Sequence, residues 1–266
     1  MAVIRDHRLR SDGSVRAGLL SVEARWAEFA SWTAENLGLE DAASYWLGHS
    51  LELAHEADDT VMESYALMRQ AQRAVERRHV REARALADAA WAVTGASDRD
   101  RALCAVRQAQ GYALAGDSRA CQAAIQLAYE LVAQADEVDA DDDPRTIGHH
   151  CGQAYIQAHE AHCQLLLRQP RKASELLQRV LASWPSEYRQ DEQLARAWLA
   201  LSYAADGHWA DAAVEGTRAL SLATTGGSAR VRRSLRALDR QFATNTGLPP
   251  EVSAFRSAFA FTARRM

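Results

Sequence analysis

Helix-breaking positions recur along this chain at a near-constant interval. They fall at Gly38, near Arg78, at Gly116, near Arg168 and at Gly207, about 40 residues apart with one longer gap. Between them lie amphipathic runs too short to bury their apolar faces alone. Such a chain must stack its helix pairs, because each pair needs a neighbour to cover it. The clearest pair occupies 191–225. Leu194, Trp198, Leu201 and Ala205 share one helical face, and Trp209, Ala212, Ala213, Leu220 and Ala223 share another. Gly207, between them, can take the left-handed conformation that closes the first helix. Ala200, Ala204, Ala212 and Ala219 let the two helices approach closely.

The same periodicity predicts helices over 15–37, 40–57, 61–77, 80–93, 99–115, 118–135, 147–168, 170–184 and 228–242. With only 14 Gly and 5 Pro and no sustained Val, Ile or Thr runs, the composition favours helices over sheets. The fold class expected is an all-α, right-handed solenoid of about five α-hairpins plus a C-terminal capping helix. A polar arm is expected over 1–14, one domain over 15–246 and a tail over 247–266. Phe255, Phe259 and Phe261 in that tail either fold back on the last helix or make a homodimer. In 136–144, six of the eight residues before Pro144 are acidic, which reads as a solvated connecting loop. A cation-binding loop would need spaced oxygen ligands, a turn Gly and a closing Glu, and these are missing.

No apolar run approaches the roughly 20 residues that span a bilayer. The charged start MAVIRDHRLRSDG lacks a secretory apolar core. Cys104, Cys121, Cys151 and Cys163 include no CxxC, so a reducing cytoplasm is the expected location. A net charge of -4 supplies no general attraction to nucleic acid. The basic run Arg230, Arg233, Arg240 reads as a solvated capping helix, with phosphate contact or partner docking as the other reading.

Residue by residue, the pairs resemble tetratricopeptide repeats. Leu199, Ala200, Tyr203, Gly207, Trp209, Ala212 and Ala219 match in the fifth pair. So do Tyr112, Gly116 and Ala128 in the third, and Ala173, Leu177 and Pro185 in the fourth. The first pair matches at Gly38, Ala43 and Leu47; the second lacks the Gly. No pair carries the full motif, so a HEAT-like or irregular hairpin array is the alternative. A narrower resemblance covers roughly 17–242. The runs AEFASW, ASYWLGHSLELAHEADD, SYALMRQAQ and LASWP, with the stretch 227–231, are similar to the tetratricopeptide sensor regions of bacterial regulators that carry a Cro/repressor-type helix-turn-helix. The resemblance implies a cytoplasmic regulatory domain that binds a peptide, a small signal or a protein partner. The chain has no helix-turn-helix, so DNA binding is not carried over. It is expected to be either a sensor half or a free-standing relative.

In such arrays the first helix of each pair lines the concave face. Projected from the breaks, that face carries Arg25, Glu28 and Trp32, then Tyr65, Met68, Arg69 and Gln72, then Arg107 and Gln110, then Tyr155, His159 and His162. Rings with Arg and Gln suit a peptide or an amphipathic small molecule. The competing reading packs these rings between helices. His159 and His162, with Cys163, share a helical face and form the candidate zinc or copper site; the same two histidines are the catalytic candidates of an enzyme reading. No HExxH, GxSxG, P-loop or dinucleotide fingerprint accompanies them. The leading expectation is a non-catalytic binding module without a cofactor, with the enzyme and a protein scaffold as alternatives.

Overall fold

The computed structural model describes residues 2–137, 147–222 and 228–263. Among them are helices α1 (Ala2–Leu9), α2 (Gly13–Leu37), α3 (Glu40–Glu56), α4 (Thr60–Glu76), α5 (Val80–Ala92), α6 (Asp98–Ala115) and α7 (Ser118–Glu137). They are followed by α8 (Gln153–Leu166), α9 (Pro170–Leu181), α10 (Arg189–Ala205), α11 (Trp209–Ser221), α12 (Ala229–Ala243) and α13 (Pro250–Ala263). The chain is thus all-α, built of tetratricopeptide-like helix hairpins. No helix among the described residues is long and apolar enough to cross a membrane.

The five breaks share one backbone geometry. Gly38, Arg78, Gly116, Arg168 and Gly207 have φ of 79°, 60°, 80°, 59° and 83°. At four of them the left-handed residue and its successor return amide hydrogens to the last turn, and at Gly38 the successor does so, Leu39 N donating to Ala34 O at 2.9 Å. His79 N donates to Ala74 O at 2.9 Å and Arg78 N to Val75 O at 3.0 Å, and the same pattern recurs at Gly116, Arg168 and Gly207. These bonds satisfy carbonyls the helix would otherwise leave open. Arg78 and Arg168 hold, with exposed side chains, a conformation that costs an L-residue roughly 1–2 kcal/mol. Arg78→Gly and Arg168→Gly are therefore expected to raise unfolding stability by up to about 1 kcal/mol each, part of the relief being offset by the flexibility Gly adds to the unfolded chain. Urea unfolding checks this; a loss of stability would contradict the assignment.

Counted from the breaks, equivalent positions are buried in every hairpin. Ala43, Ala83, Cys121, Ala173 and Ala212 form one such set, and Ser31, Ala71, Ala109, Ala161 and Ala200 another. A third set is cross-linked by polar bonds. Ser50 donates to Ala24 O, Ser64 to Ala90 O and Gln193 to Ala219 O, each at 2.9 Å and each spanning 26 residues. Small side chains bring the helices close enough for these bonds.

The contacts group into two compact units, 1–35 with 39–156, and 36–38 with 157–266. In the first, Leu20, Ala24, Ala27, Leu47, Leu53, Met62 and Ala66 form one apolar cluster. Met68, Leu103, Val106, Leu131, Val132 and Ile156 belong to a second. The arm expected over 1–14 instead carries α1, tied down where Arg8 Nε meets the buried Glu23 carboxylate at 2.7 Å. Of the acidic loop expected over 136–144, Asp136 and Glu137 end α7, and the rest lies outside the described residues.

The second unit buries Leu177, Leu235, Leu238, Phe242 and Phe255. Here the tail expected over 247–266 becomes α13, packed on α11. Phe255 is 0% exposed, and its ring lies 5.6 Å from that of Phe242 and 5.7 Å from that of Phe259. Gly216 permits this contact: a Cβ there would sit 2.8 Å from both Leu238 Cδ2 and Phe255 Cε2. The tail folds back, and Phe255 is committed to the core.

Candidate interaction surface and polar interior

On each first helix, three side chains at i, i+4 and i+7 stand in the same register to the left-handed break. The sets are Arg25, Phe29, Trp32; Tyr65, Arg69, Gln72; Leu103, Arg107, Gln110; Tyr155, His159, His162; and Leu194, Trp198, Leu201. Of the residues projected onto the ligand face from the sequence they include all but Glu28 and Met68, and their surroundings differ sharply along the chain.

In the first unit the second and third sets are buried, apart from half-buried Tyr65. Arg69, Gln72, Arg107 and Gln110 are all buried, as is Tyr155 of the fourth set. Arg69 Nε donates to Glu28 at 2.9 Å and its Nη2 to Glu35 at 2.9 Å. Arg73, one turn on, reaches Glu35 at 3.5 Å, Glu40 at 3.2 Å and Ser44 Oγ at 3.0 Å. Burial alone would lower the Arg69 pKa, but Glu28 and Glu35 more than offset it and hold the guanidinium charged. Burial, and then Glu28, push the Tyr65 hydroxyl far above its usual range, so it stays a neutral phenol. Arg107 Nη1 donates to Gln110 Oε1 at 2.5 Å, and its other terminal nitrogen to the Tyr155 hydroxyl. These groups bond one another within the first unit.

The His-rich segment departs from expectation. The helix predicted over 147–168 starts at Gln153, so His149 and His150 precede it. The turn before it is held by buried Asp100, whose Oδ1 accepts from Gly148 N at 2.8 Å and Ile147 N at 3.3 Å. Burial raises the Asp100 pKa, against the Ser97 hydroxyl and those amides, which lower it. A Cβ on Gly148 would lie 3.0 Å from both Asp100 Oδ1 and Leu103 Cδ1, which explains the Gly.

His150 sets its ring edge-on to Tyr155 at 5.1 Å. Burial, with Arg107 nearby, lowers its pKa from 6.5 to about 4. The unfolded chain takes up this proton as pH falls through 6.5, whereas the folded chain excludes it down to about 4. Stability tied to this group is thus full above 6.5 and falls as pH drops towards 4. Melting curves across that window should show a steeper decline for the natural protein than for His150→Gln. Equal slopes would contradict the placement.

In the second unit, His162 stacks on Trp198 at 4.3 Å with planes 10° apart, and His159 meets the same indole edge-on at 5.2 Å. Cys163, the third candidate metal ligand, is buried. Among the described residues, no three His, Cys, Asp or Glu are grouped as a metal ion would require. Burial pushes the Cys104 and Cys151 thiols up to about 11 and about 12, far from the thiolate a nucleophile needs.

The open member of the ladder is on α2. Its buried face is Leu20, Ala24, Ala27, Ser31 and Ala34, all 6% exposed or less. The opposite face leaves Val15, Val22, Trp26, Phe29 and Trp32 exposed at 61, 43, 51, 51 and 37%. Trp26 and Phe29 meet edge-on at 5.9 Å, and Phe29 stacks on Trp32 at 5.6 Å. Val22, Arg25, Trp26 and Phe29 line a groove of about 310 Å³. Arg25 and Trp32 were legible as candidates. Trp26, Phe29 and Val22 were not, although the small-residue stripe opposite them marks which face turns inward.

No family model matches this chain. No curated protein matches it. A solved structure of nearly identical TPR-like repeats from Podospora anserina, described as kinesin light chain, is similar with a TM-score of 0.40 and 19% identity. The match covers 75% of this chain and 95% of that one. The hairpin assignment accordingly rests on the shared left-handed breaks and the repeated buried positions.

Proposed function

We propose that this chain is a non-catalytic interaction module, of the regulator-sensor type its sequence resembles, that docks an amphipathic helical segment on the exposed face of α2. The carrying observation is the stripe of Val22, Trp26, Phe29 and Trp32, left open beside Arg25 on a helix whose other face is fully packed. Soluble domains seldom expose contiguous aromatics without a partner, and aromatic residues with Arg dominate binding hot spots. The buried ion pairs of Arg69 and Arg73 give the hairpin behind this face a fixed geometry. In this reading occupancy of the α2 face is the regulatory output.

The enzyme reading has weaker support. Its candidate bases, His159 and His162, pack on Trp198, and the Cys104 and Cys151 thiols are held protonated. A photoreactive phenylalanine analogue introduced at position 22 in cells tests the proposal. Protein adducts are expected from position 22 and none from position 85, an exposed site on α5. Adducts from neither site, or from both alike, would overturn it.

A further inference from the structure

The spacing of the apolar residues on the outer side of α2 narrows what can cover them. Val15, half-buried Leu19, Val22, Trp26 and Phe29 follow one another at alternating intervals of four and three residues. That is the spacing of a two-helix seam, in which apolar residues repeat every 3.5 residues and interlock with a facing helix. The seam spans about 21 Å of helix at 1.5 Å per residue. Its size gradient is equally specific, with small aliphatics at the N-terminal end and large rings at the other.

We infer that the occupant of this face is the α2 of a second copy of the chain, packed antiparallel about Val22. The inference rests on the docking reading above and names its partner. Reversing a four-three pattern about its centre reproduces it to within one residue. Val15 then faces Phe29 of the other copy, Leu19 faces Trp26, and Val22 faces Val22. Every large ring meets a small side chain, which is how facing layers fill space without voids. A parallel pair would instead set Trp26 on Trp26 and Phe29 on Phe29, crowding one end and leaving the other empty.

Gly18 supports the same arrangement independently. A glycine inside a helix costs about 1 kcal/mol relative to Ala. Nothing within the chain requires it here, because a Cβ at Gly18 would meet no atom within 4 Å. Gly18 and Arg25 lie on the same flank of the seam, one heptad apart. In the antiparallel pair centred on Val22, Arg25 of one copy comes within one residue of Gly18 of the other on that flank, so the missing side chain makes room for the guanidinium, and the two Arg25 charges stay apart. With Trp32 included, the exposed apolar surface is roughly 500 Å² per copy. Doubled, that reaches about the 1,000 Å² that a specific interface must clear.

Sedimentation of the untagged chain from about 1 to 100 µM, a range that brackets a micromolar interface, is the test. A dimer of twice 29.3 kDa is expected. Gly18→Arg should weaken it at least tenfold. Gly18 sits in open space, so that variant leaves the monomer fold intact, as its circular dichroism will verify. Orientation is read separately. The four native cysteines are buried, so an introduced thiol reports alone. Val22→Cys should cross-link to itself on oxidation, and Val15→Cys should cross-link to Phe29→Cys, while Phe29→Cys alone should not. A monomer throughout the range overturns self-pairing. If that monomer still gives a photo-adduct of another mass from position 22, the docking reading stands with a different partner; with no adduct, both fall. Self-cross-linking of Phe29→Cys equal to that of Val22→Cys overturns the antiparallel arrangement.

Discussion

Glu35→Ala is expected to cost about 3 kcal/mol or more of folding stability, because removing one partner of a buried ion pair strands the other. Glu35 is 3% exposed and accepts from Arg69 at 2.9 Å and from Arg73 at 3.5 Å. Arg69 keeps Glu28, and Arg73 keeps Glu40 and Ser44, which sets the loss at the lower end of the range for buried pairs. Glu35→Gln retains an acceptor and should cost about half as much. Denaturant unfolding of the two variants reads the difference. Near-equal, small losses would mean that the arginines are hydrated, and that the interior of the first unit is open in the way a ligand groove would be.

Phe255→Ala should cost about 3–5 kcal/mol, the usual range for emptying a fully buried aromatic site. Its ring fills the space left by Gly216 and packs on Phe242. The effect should appear as lost stability with no change in the oligomeric mass of the folded fraction. A tail that mediated a homodimer would give the reverse, with stability kept and mass halved. This contrast separates the two roles read for the tail from sequence.

The hairpin array was legible because its determinants are local. Left-handed breaks need Gly or a tolerant residue, and small residues at fixed distances from each break set the helix approach. Arg78 and Arg168 were placed by spacing alone, and both take the left-handed conformation that Gly takes elsewhere. The site was legible only in part, because periodicity names a face without saying what covers it. Arg69, Arg107 and Tyr155 were read as ligand-facing, whereas Glu28 and Glu35 pair with Arg69, and Arg107 bonds Gln110 and Tyr155. The sequence distance between Arg107 and Tyr155 hides that pairing. The start of α8 was missed for a similar reason. The run Gly148–Gly152 has helical neighbours but is fixed as a turn by Asp100, nearly fifty residues upstream. On α2, hydrophobicity pointed to both sides of the helix. Only the Leu20, Ala24, Ala27, Ser31 stripe distinguishes the packed face from the exposed one.

Oxidative footprinting of Trp26, Phe29 and Trp32 by hydroxyl radicals tests the central claim most directly. It compares dilute purified protein with the same protein inside cells. Buried Phe242 and Phe255 serve as protected references in both samples. The account predicts ready oxidation of the three α2 rings in dilute solution and strong protection of all three in cells. Equal oxidation in the two settings would contradict it, since a docking face must be covered where it works.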